Sequence, residues 1–256
     1  MALTRLAVKF AVPLPKAESF ERYLFIGPHP DDIEVGCGAT VAALKAMGKS
    51  ITFLVVTDGR YGDSNSGGIR GDELAALRKK EALTSAKVLG IDDVRFMELS
   101  DGGFYTREEL EEGIARVIGE VQPEILFAPD PCVNSECHAD HLNVGEAVRR
   151  LANFASNNGV MEHYGAKSAA VKAVAFYMTA RPNVYIKTSG YIKLQDQAIF
   201  DCHTSQYPEG SSEASSIRLY IKLRSLEFGI RSRKGKAEGF RLLDLTRMHC
   251  LPEAGL

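Results

Sequence analysis

The first half of the chain alternates short apolar runs with longer segments of helical periodicity. Residues 23–27 and 51–57 have the apolar and aromatic composition of buried strands, and a helical pattern follows each of them. Such alternation is the sequence sign of a parallel sheet made of βαβ units. Because a parallel sheet is covered by its crossover helices, we predict an α/β fold with a mostly parallel, Rossmann-like sheet and helices on both faces.

Individual elements are predicted from turn and capping signals. Helices predicted over 39–47 and 72–89 each end just before a glycine, a common helix terminator. Thr106 and Glu109 have the spacing of a capping box, which opens a helix running toward Val121. Further helices are predicted over 139–154 and 212–228, and further strands over 94–97, 124–128, 171–179 and 184–186.

Bulk properties narrow the class of protein. A chain of 256 residues with 45% hydrophobic residues is long enough for one large domain, which we assign to 1–256 with an N-terminal extension over about 1–20. The net charge of -2 leaves no excess of basic residues, so we predict no nucleic-acid partner. No run of about 18 apolar residues occurs, so no membrane span is predicted. The N-terminal residues, with scattered charges and two prolines, do not fit a signal peptide.

The cysteines point to a reducing compartment. They are odd in number and irregularly spaced, which suits the cytoplasm better than a disulfide framework. The five are Cys37, Cys132, Cys137, Cys202 and Cys250. A zinc site made by Cys132, Cys137, His138 and His141 is a minor alternative, because C-x4-C is at the loose end of the usual ligand spacing.

A first group of polar residues, His29, Asp31 and Asp32, follows the first predicted strand directly. Ligands of α/β proteins bind beyond the carboxyl ends of parallel strands, so these side chains are placed where a substrate binds. Prolines on both sides of His29 restrict the backbone and keep it out of a helix. The structural alternative is that Asp31 or Asp32 only caps the next helix and His29 is a buried turn residue.

A second group, His138, Asp140 and His141, follows the strand predicted over 124–128. Positions three apart share one face of a helix, so both histidines can point into one site. Asp140 can orient a histidine through its second ring nitrogen, and it can equally stabilise the helix dipole near an N-terminus. Two strand ends therefore present histidine and aspartate, which predicts a metal site.

The pairing of His-Pro-Asp-Asp with a later His-x-Asp-His resembles the LmbE-like, or PIG-L, family of zinc N-deacetylases. Weaker matches to the same family follow in order along the chain, so that the resemblance covers roughly 24–240. They are Thr57-Asp-Gly, Arg78-x-x-Glu81, Ser205-Gln206 and Ala237-Glu-Gly-Phe240. The family's late-helix tyrosine has no clear counterpart, since Tyr220 is nearby but out of register.

The resemblance implies a role for each site residue. His29, Asp32 and His141 would be the Zn2+ ligands, which leaves one coordination position open for catalysis. The zinc would activate water, with Asp31 as general base and His138, as an imidazolium, stabilising the oxyanion. Arg78 matches a family arginine that contacts substrate or intermediate, although an ordinary helical ion pair with Glu81 is an equal alternative.

The resemblance implies an enzyme that removes an N-acetyl group from an N-acetylglucosamine-containing or related small molecule. Two other classes stay open on the residues alone. A metal-dependent phosphoesterase would use the same ligands, and a non-catalytic carbohydrate-binding protein would keep the fold. The expected partner is a small N-acetylated sugar, and analogy with the family leaves a homo-oligomer open.

Overall fold

The computed structural model describes residues 10–249 and has a mixed sheet at its centre. Its strands are β1 (Arg22–Gly27), β2 (Ser50–Thr57), β3 (Asp93–Leu99), β4 (Ile125–Pro129), β5 (Ala173–Tyr177), β6 (Val184–Lys187) and β7 (Ala237–Asp244). The seven strands are ordered β3-β2-β1-β4-β5-β7-β6. The first five are parallel, and β7 runs antiparallel to both β5 and β6.

Helices cover both faces of this sheet. They are α1 (Asp32–Ala46), α2 (Gly71–Val88), α3 (Arg107–Val121), α4 (Ala139–Phe154), α5 (Asn158–His163), α6 (Ile192–Phe200) and α7 (Ser212–Ser232). One core lies between the sheet and α1, α2 and α6, and a second lies between the sheet and α3, α4 and α5. The predicted fold class is therefore confirmed.

The central strand β1 shows why the fold needs two cores. Successive side chains of a strand point to opposite faces of its sheet. Tyr23 and Phe25 accordingly join the first core, Leu24 and Ile26 join the second, and all four are fully buried. A continuous apolar run is what a strand covered on both faces requires.

Most predicted elements lie within a few residues of the observed ones, with four differences. The first helix begins at Asp32 instead of residue 39, because the turn after β1 leads straight into it and only Cys37 departs from helical geometry. The short helices α5 and α6 were not predicted. The strand β7 was not predicted either, since its pairing partners β5 and β6 lie far from it in sequence.

Part of the predicted N-terminal extension packs into the first core. Ala17 and Phe20 are buried in the first core, and the hydroxyl of Tyr23 donates hydrogen bonds to the carbonyl oxygens of both. These residues therefore belong to the domain. Residues 1–9 and Cys250 lie outside the described residues. Across 10–249, no helix combines the length and the hydrophobicity needed to cross a bilayer.

Sheet order explains why the two polar groups meet. From β1 the chain moves through α1 to β2 on one side, whereas β4 pairs with the other side of β1. The order of the strands thus reverses between β1 and β4, and at such a switch point the loops at the carboxyl ends diverge and leave a crevice. The turn after β1 and the loop after β4 both open into this crevice.

Candidate active site

The turn after β1 holds three polar side chains below the protein surface. His29, Asp31 and Asp32 are each less than a tenth exposed. The Nδ1 atom of His29 lies 3.0 Å from Oδ2 of Asp32, and the same oxygen accepts the backbone N–H of His29 at 2.8 Å. Asp31 occupies the N-cap position of α1, yet its side chain makes no capping hydrogen bond. The capping alternative therefore does not account for Asp31.

The first turn of α4, the helix after β4, adds a fully buried carboxylate. Asp140 accepts hydrogen bonds from the backbone N–H groups of Gly102 and Gly103 at 2.7 and 2.8 Å and from the hydroxyl of Tyr105 at 2.9 Å. Its Oδ2 also lies 3.0 Å from Nε2 of His29. Asp140 thus orients His29, which belongs to the first group of polar residues, and not a histidine of the second group.

His141 completes a set of three potential metal ligands with His29 and Asp32. One ligand atom from each of the three lies within 4.8 Å of the others. Nε2 of His141 is 3.4 Å from Oδ1 of Asp32, and its Nδ1 is 2.9 Å from a carboxylate oxygen of Glu136. Each histidine therefore turns one nitrogen toward Asp32 and has the other nitrogen held by a second carboxylate, the usual support of a metal-bound imidazole.

Two other ligand sets fit less well. His29, His138 and Asp140 also bring ligand atoms within 4.8 Å of one another. However, both oxygens of Asp140 are already occupied by four hydrogen-bond donors. Within residues 10–249, neither of the two clustered ligand sets contains a cysteine, so the alternative site with Cys132 and Cys137 is not formed.

The electrostatics of the site favour a bound cation. Burial opposes a charge on His29, but hydrogen bonds to Asp140 and Asp32 outweigh it and raise its pKa to about 10. Burial also opposes a charge on His141, but Asp32 and Glu136 outweigh it and raise the pKa of His141 to about 9. The carboxylates thus stabilise positive charge at this point. A divalent metal would supply that charge in place of the two ring protons.

Asp31 is held apart from the ligand set by Arg78 and Tyr207. Nη2 of Arg78 is 3.1 Å from Oδ1 of Asp31, and the hydroxyl of Tyr207 donates to Oδ2 at 2.9 Å. Arg78 is buried and also donates to the carbonyl oxygen of Gly59. Its ion pair is with Asp31, while Glu81 accepts hydrogen bonds from Ser205.

His138 occupies the N-cap position of α4 with its side chain about half exposed. Its Nδ1 accepts the backbone N–H of Asp140 at 3.3 Å, which places the proton of a neutral ring on Nε2. Burial and the positive charge of His29 and His141 lower the pKa of His138. The hydrogen bond and the lowered pKa both favour a neutral ring, and the imidazolium implied by the resemblance stays a prediction.

Two residues at the site were not predicted from the sequence. Tyr207 directly follows the matched pair Ser205-Gln206, and this position was a usable signal. Glu136 lies two residues before His138, in a loop without a recognisable pattern. Tyr220, considered as the family tyrosine, is half exposed on α7, whereas Tyr207 contacts Asp31.

Comparisons with known proteins identify relatives along nearly the whole chain. Residues 24–152 match the family model described as PIG-L, GlcNAc-PI de-N-acetylase. The chain is 33% identical over 241 residues to diacetylchitobiose deacetylase from Thermococcus kodakarensis, covering 91% of this chain and 87% of that relative. It is 28% identical over 176 residues to 1D-myo-inositol 2-acetamido-2-deoxy-alpha-D-glucopyranoside deacetylase from Kineococcus radiotolerans, covering 57% of this chain and 48% of that relative.

A solved structure extends this likeness to the fold. N,N'-diacetylchitobiose deacetylase from Pyrococcus horikoshii aligns with a TM-score of 0.84 at 26% identity, over 98% of this chain and 95% of that one. The family model spans half of the chain, and the Thermococcus relative spans nearly all of it. The predicted resemblance is therefore confirmed, and the chain belongs to the PIG-L family of N-deacetylases.

Proposed function

We propose that this PIG-L family deacetylase uses zinc to remove an acetyl group from the nitrogen of an N-acetylglucosamine-containing substrate. The observation that carries the proposal is that two neighbouring carboxylates of one turn have different partners. Asp32 lies within a set of three metal ligands, while the neighbouring Asp31 is directed to Arg78 and Tyr207. Metal-dependent amide hydrolysis uses such a division between a Lewis-acid site and a proton carrier.

The donor set fits zinc. Two imidazoles and one carboxylate are ligands that catalytic zinc sites use, and three protein ligands leave a coordination position free. His29, Asp32 and His141 would hold the ion, with Asp140 and Glu136 fixing the two imidazole rings. When bound, zinc supplies a Lewis acid that polarises the acetamide carbonyl and lowers the pKa of water.

Asp31 is suited to act as the proton carrier. Its carboxylate can accept a proton from the water that attacks the carbonyl carbon and deliver that proton to the nitrogen as the C–N bond breaks, which yields acetate and a free amine. Arg78 and Tyr207 each contact one of its oxygens and so fix its orientation. Arg78 is therefore a positioning residue for Asp31.

His138 can stabilise the oxyanion without carrying a charge. Its Nδ1 accepts the N–H of Asp140, so the neutral ring has its donor at Nε2. A preorganised donor directed at a developing negative charge lowers the barrier to acyl transfer. We therefore assign His138 as a neutral hydrogen-bond donor, and Asp140 as the residue that positions His29.

The substrate class follows from the named relatives. Those from Thermococcus and Kineococcus are described as deacetylases of diacetylchitobiose and of an inositol-linked 2-acetamido-glucopyranoside. We infer a small N-acetylated sugar for this chain. A cytoplasmic location and the absence of a nucleic-acid partner stay predictions from composition, and the oligomeric state stays open.

A metal analysis coupled to an acetate-release screen tests the function. The metal-loaded protein is incubated with N-acetylglucosamine, chitooligosaccharides and other N-acetylglucosaminides, and both acetate and free amine are quantified. We expect one zinc per chain and equimolar products. Folded, metal-loaded protein that releases no acetate from the panel would contradict the proposal. Two ions per chain with release of phosphate from phosphate esters would favour a phosphoesterase instead.

A further inference from the structure

Two aromatic side chains stand exposed on neighbouring loops. Phe104 is 71% exposed and Tyr61 is 58% exposed, and their ring centroids lie 5.6 Å apart with the planes at 76°. Tyr61 follows β2 in the loop that leads to α2, and Phe104 lies between β3 and α3. The two rings therefore form an open, angled apolar surface that the other residues of 10–249 leave uncovered.

Short contacts place this aromatic pair beside the metal-binding residues. A Cβ added to Gly102 would lie 3.0 Å from the ring of Phe104 and 3.8 Å from the ring of Tyr61, so both rings flank that glycine. The backbone N–H of Gly102 donates to the Oδ2 atom of Asp140, which also lies 3.0 Å from Nε2 of His29. Gly102 and the carboxylate of Asp140 thus connect the two rings to His29, a predicted zinc ligand.

The loops under the rings are fixed by hydrogen bonds to buried groups. The backbone N–H of Tyr61 donates to the carboxylate of Asp101, which is itself buried. Gly102 and Gly103 have φ values of 79° and 78°, in the left-handed region that favours glycine, and both donate to Asp140. A rigid backbone therefore holds two apolar rings in water at the edge of the site, and exposed apolar surface of this kind marks ligand binding.

The shape and chemistry of the pair fit a sugar ring. A glucose-type pyranose with equatorial substituents presents axial C–H groups on its faces, and these pack on the electron-rich face of an aromatic ring. The polar rim of the sugar stays in water at such an exposed position, so little desolvation opposes binding. Charged ligands gain nothing from the rings beyond a cation–π contact.

We propose that Tyr61 and Phe104 form a stacking subsite for the sugar unit next to the one that is deacetylated. The ligand class is a neutral oligosaccharide of glucosamine type, of at least two units. This inference rests on the proposed deacetylase function, because it assumes that the acetylated nitrogen lies at the metal-binding residues. It gives the chain a preference for longer substrates over a monosaccharide.

Substitution of the rings tests this preference. For Tyr61→Ala and for Phe104→Ala, we expect the ratio of kcat/KM for di-N-acetylchitobiose to kcat/KM for N-acetylglucosamine to fall by about tenfold. Tyr61→Phe keeps the ring and should keep the ratio. Tyr220→Ala removes another half-exposed aromatic, on α7, and serves as the matched control with an unchanged ratio. Both alanine variants alter exposed side chains, so they should fold and bind zinc normally.

A binding measurement separates the subsite from the reaction. The chain has no tryptophan, so Phe104→Trp introduces a single tryptophan at the proposed contact, and its emission can be excited selectively over that of the tyrosines. Titration with di-N-acetylchitobiose should shift its emission to shorter wavelength and saturate, and Tyr61→Ala in the same background should weaken the binding. If no substrate releases acetate but the emission still saturates, the deacetylase function fails while the sugar subsite stands.

Three results would overturn the subsite. The first is an unchanged disaccharide preference in both alanine variants, together with an emission of Phe104→Trp that does not respond to the disaccharide. The second is an equal loss for the monosaccharide and the disaccharide, which would assign the rings to the deacetylated unit itself. The third is a molar mass of the alanine variants, measured by light scattering, that differs from that of the wild type while the sugar preference stays the same. This result would assign the rings to a contact between protein chains.

Discussion

Two buried carboxylates, Asp32 at the metal-binding edge and Glu238 in the layer between α1, α6 and β7, are each 8% exposed. Burial alone would raise the pKa of both. At Asp32 the charges and hydrogen bonds of His141 and His29 outweigh burial and hold the pKa well below its ordinary value. At Glu238 burial prevails and raises the pKa to about 7.

Their hydrogen-bond partners explain the difference. Glu238 accepts the backbone N–H of Thr40 and the side-chain amide of Gln195, and both donors are neutral. Gln195 also donates to the carbonyl oxygen of Glu34, so this cluster ties α1, α6 and β7 together. Neutral donors satisfy a buried carboxyl group without compensating its charge. Burial by itself therefore does not identify a catalytic carboxylate, whereas the type of partner does.

The largest effect should come from the carboxylates at the metal-binding edge. Asp31→Asn removes the proton acceptor and keeps the shape of the side chain, so we expect turnover to fall about 1,000-fold. Bound zinc should be retained, because Asp31 is not in the set of three ligands. Acetate release and zinc content, measured on the same preparation, check this prediction.

Asp32→Asn is the matched control for that experiment. It changes the neighbouring residue in the same way, but it alters a ligand, so zinc should be lost together with turnover. If Asp31→Asn lost its metal while Asp32→Asn kept it, the two roles would be exchanged. A folded Asp31→Asn protein with normal turnover would remove Asp31 from the mechanism.

An effect on stability is expected at Glu238. The pKa of about 7 lies above the ordinary value of 4.5, so the folded state binds the proton more tightly than the unfolded chain. The resulting stabilisation is complete below pH 4.5 and is lost as the pH rises to 7, a change of about 3 kcal/mol. Glu238→Gln removes this dependence.

Urea unfolding of wild type and Glu238→Gln at several pH values measures this effect. As the pH rises from 4.5 to 8, the unfolding free energy of wild type should fall by about 3 kcal/mol relative to that of Glu238→Gln. The metal-binding residues are the same in both proteins, so their titration cancels. A difference that does not change with pH would mean that Glu238 keeps one protonation state.

Much of the fold, and the proximity of the three predicted ligands, could be predicted because the signals are local. The strand before His29 and the helix that begins with the capping box of Thr106 depend on adjacent residues, and both are present. His29 and Asp32 directly follow β1, His141 lies in the first turn of the helix after β4, and parallel topology brings those two strand ends together. Short-range patterns are therefore sufficient wherever the topology follows from them.

Other features depend on contacts between residues that are distant in sequence. Tyr207 contacts Asp31 across 176 positions, and only the packing of the segment after α6 brings them together. The partner of Arg78 could not be chosen from helix spacing, which offered Glu81, whereas the observed ion pair is with Asp31. The capping hydrogen bond of His138 and the nearby charges that lower its pKa depend on the folded structure, and neither can be read from the motif.

The smallest of the three effects should arise at Glu136, a carboxylate of the site to which the proposal gives neither a metal-binding nor a proton-carrying role. It holds Nδ1 of His141 at 2.9 Å and also accepts the backbone N–H of His138. Loss of such support weakens zinc binding by about 10-fold, at the lower end of the 10- to 100-fold found for residues that orient metal ligands. Glu136→Gln should therefore lower zinc affinity, measured by competition with a chelator at fixed pH.

Glu146→Gln is the matched control for Glu136→Gln. Glu146 lies on α4 and forms an exposed ion pair with Arg149, so its change should leave zinc affinity unaltered. At saturating zinc, Glu136→Gln should recover most of its turnover, since the three ligands and Asp31 remain. Persistent loss of kcat under saturation would place Glu136 in contact with the reacting groups. An unchanged zinc affinity would mean that Asp32 alone orients His141. Of the two carboxylates proposed to orient a metal ligand, Asp140 would then keep that role and Glu136 would lose it.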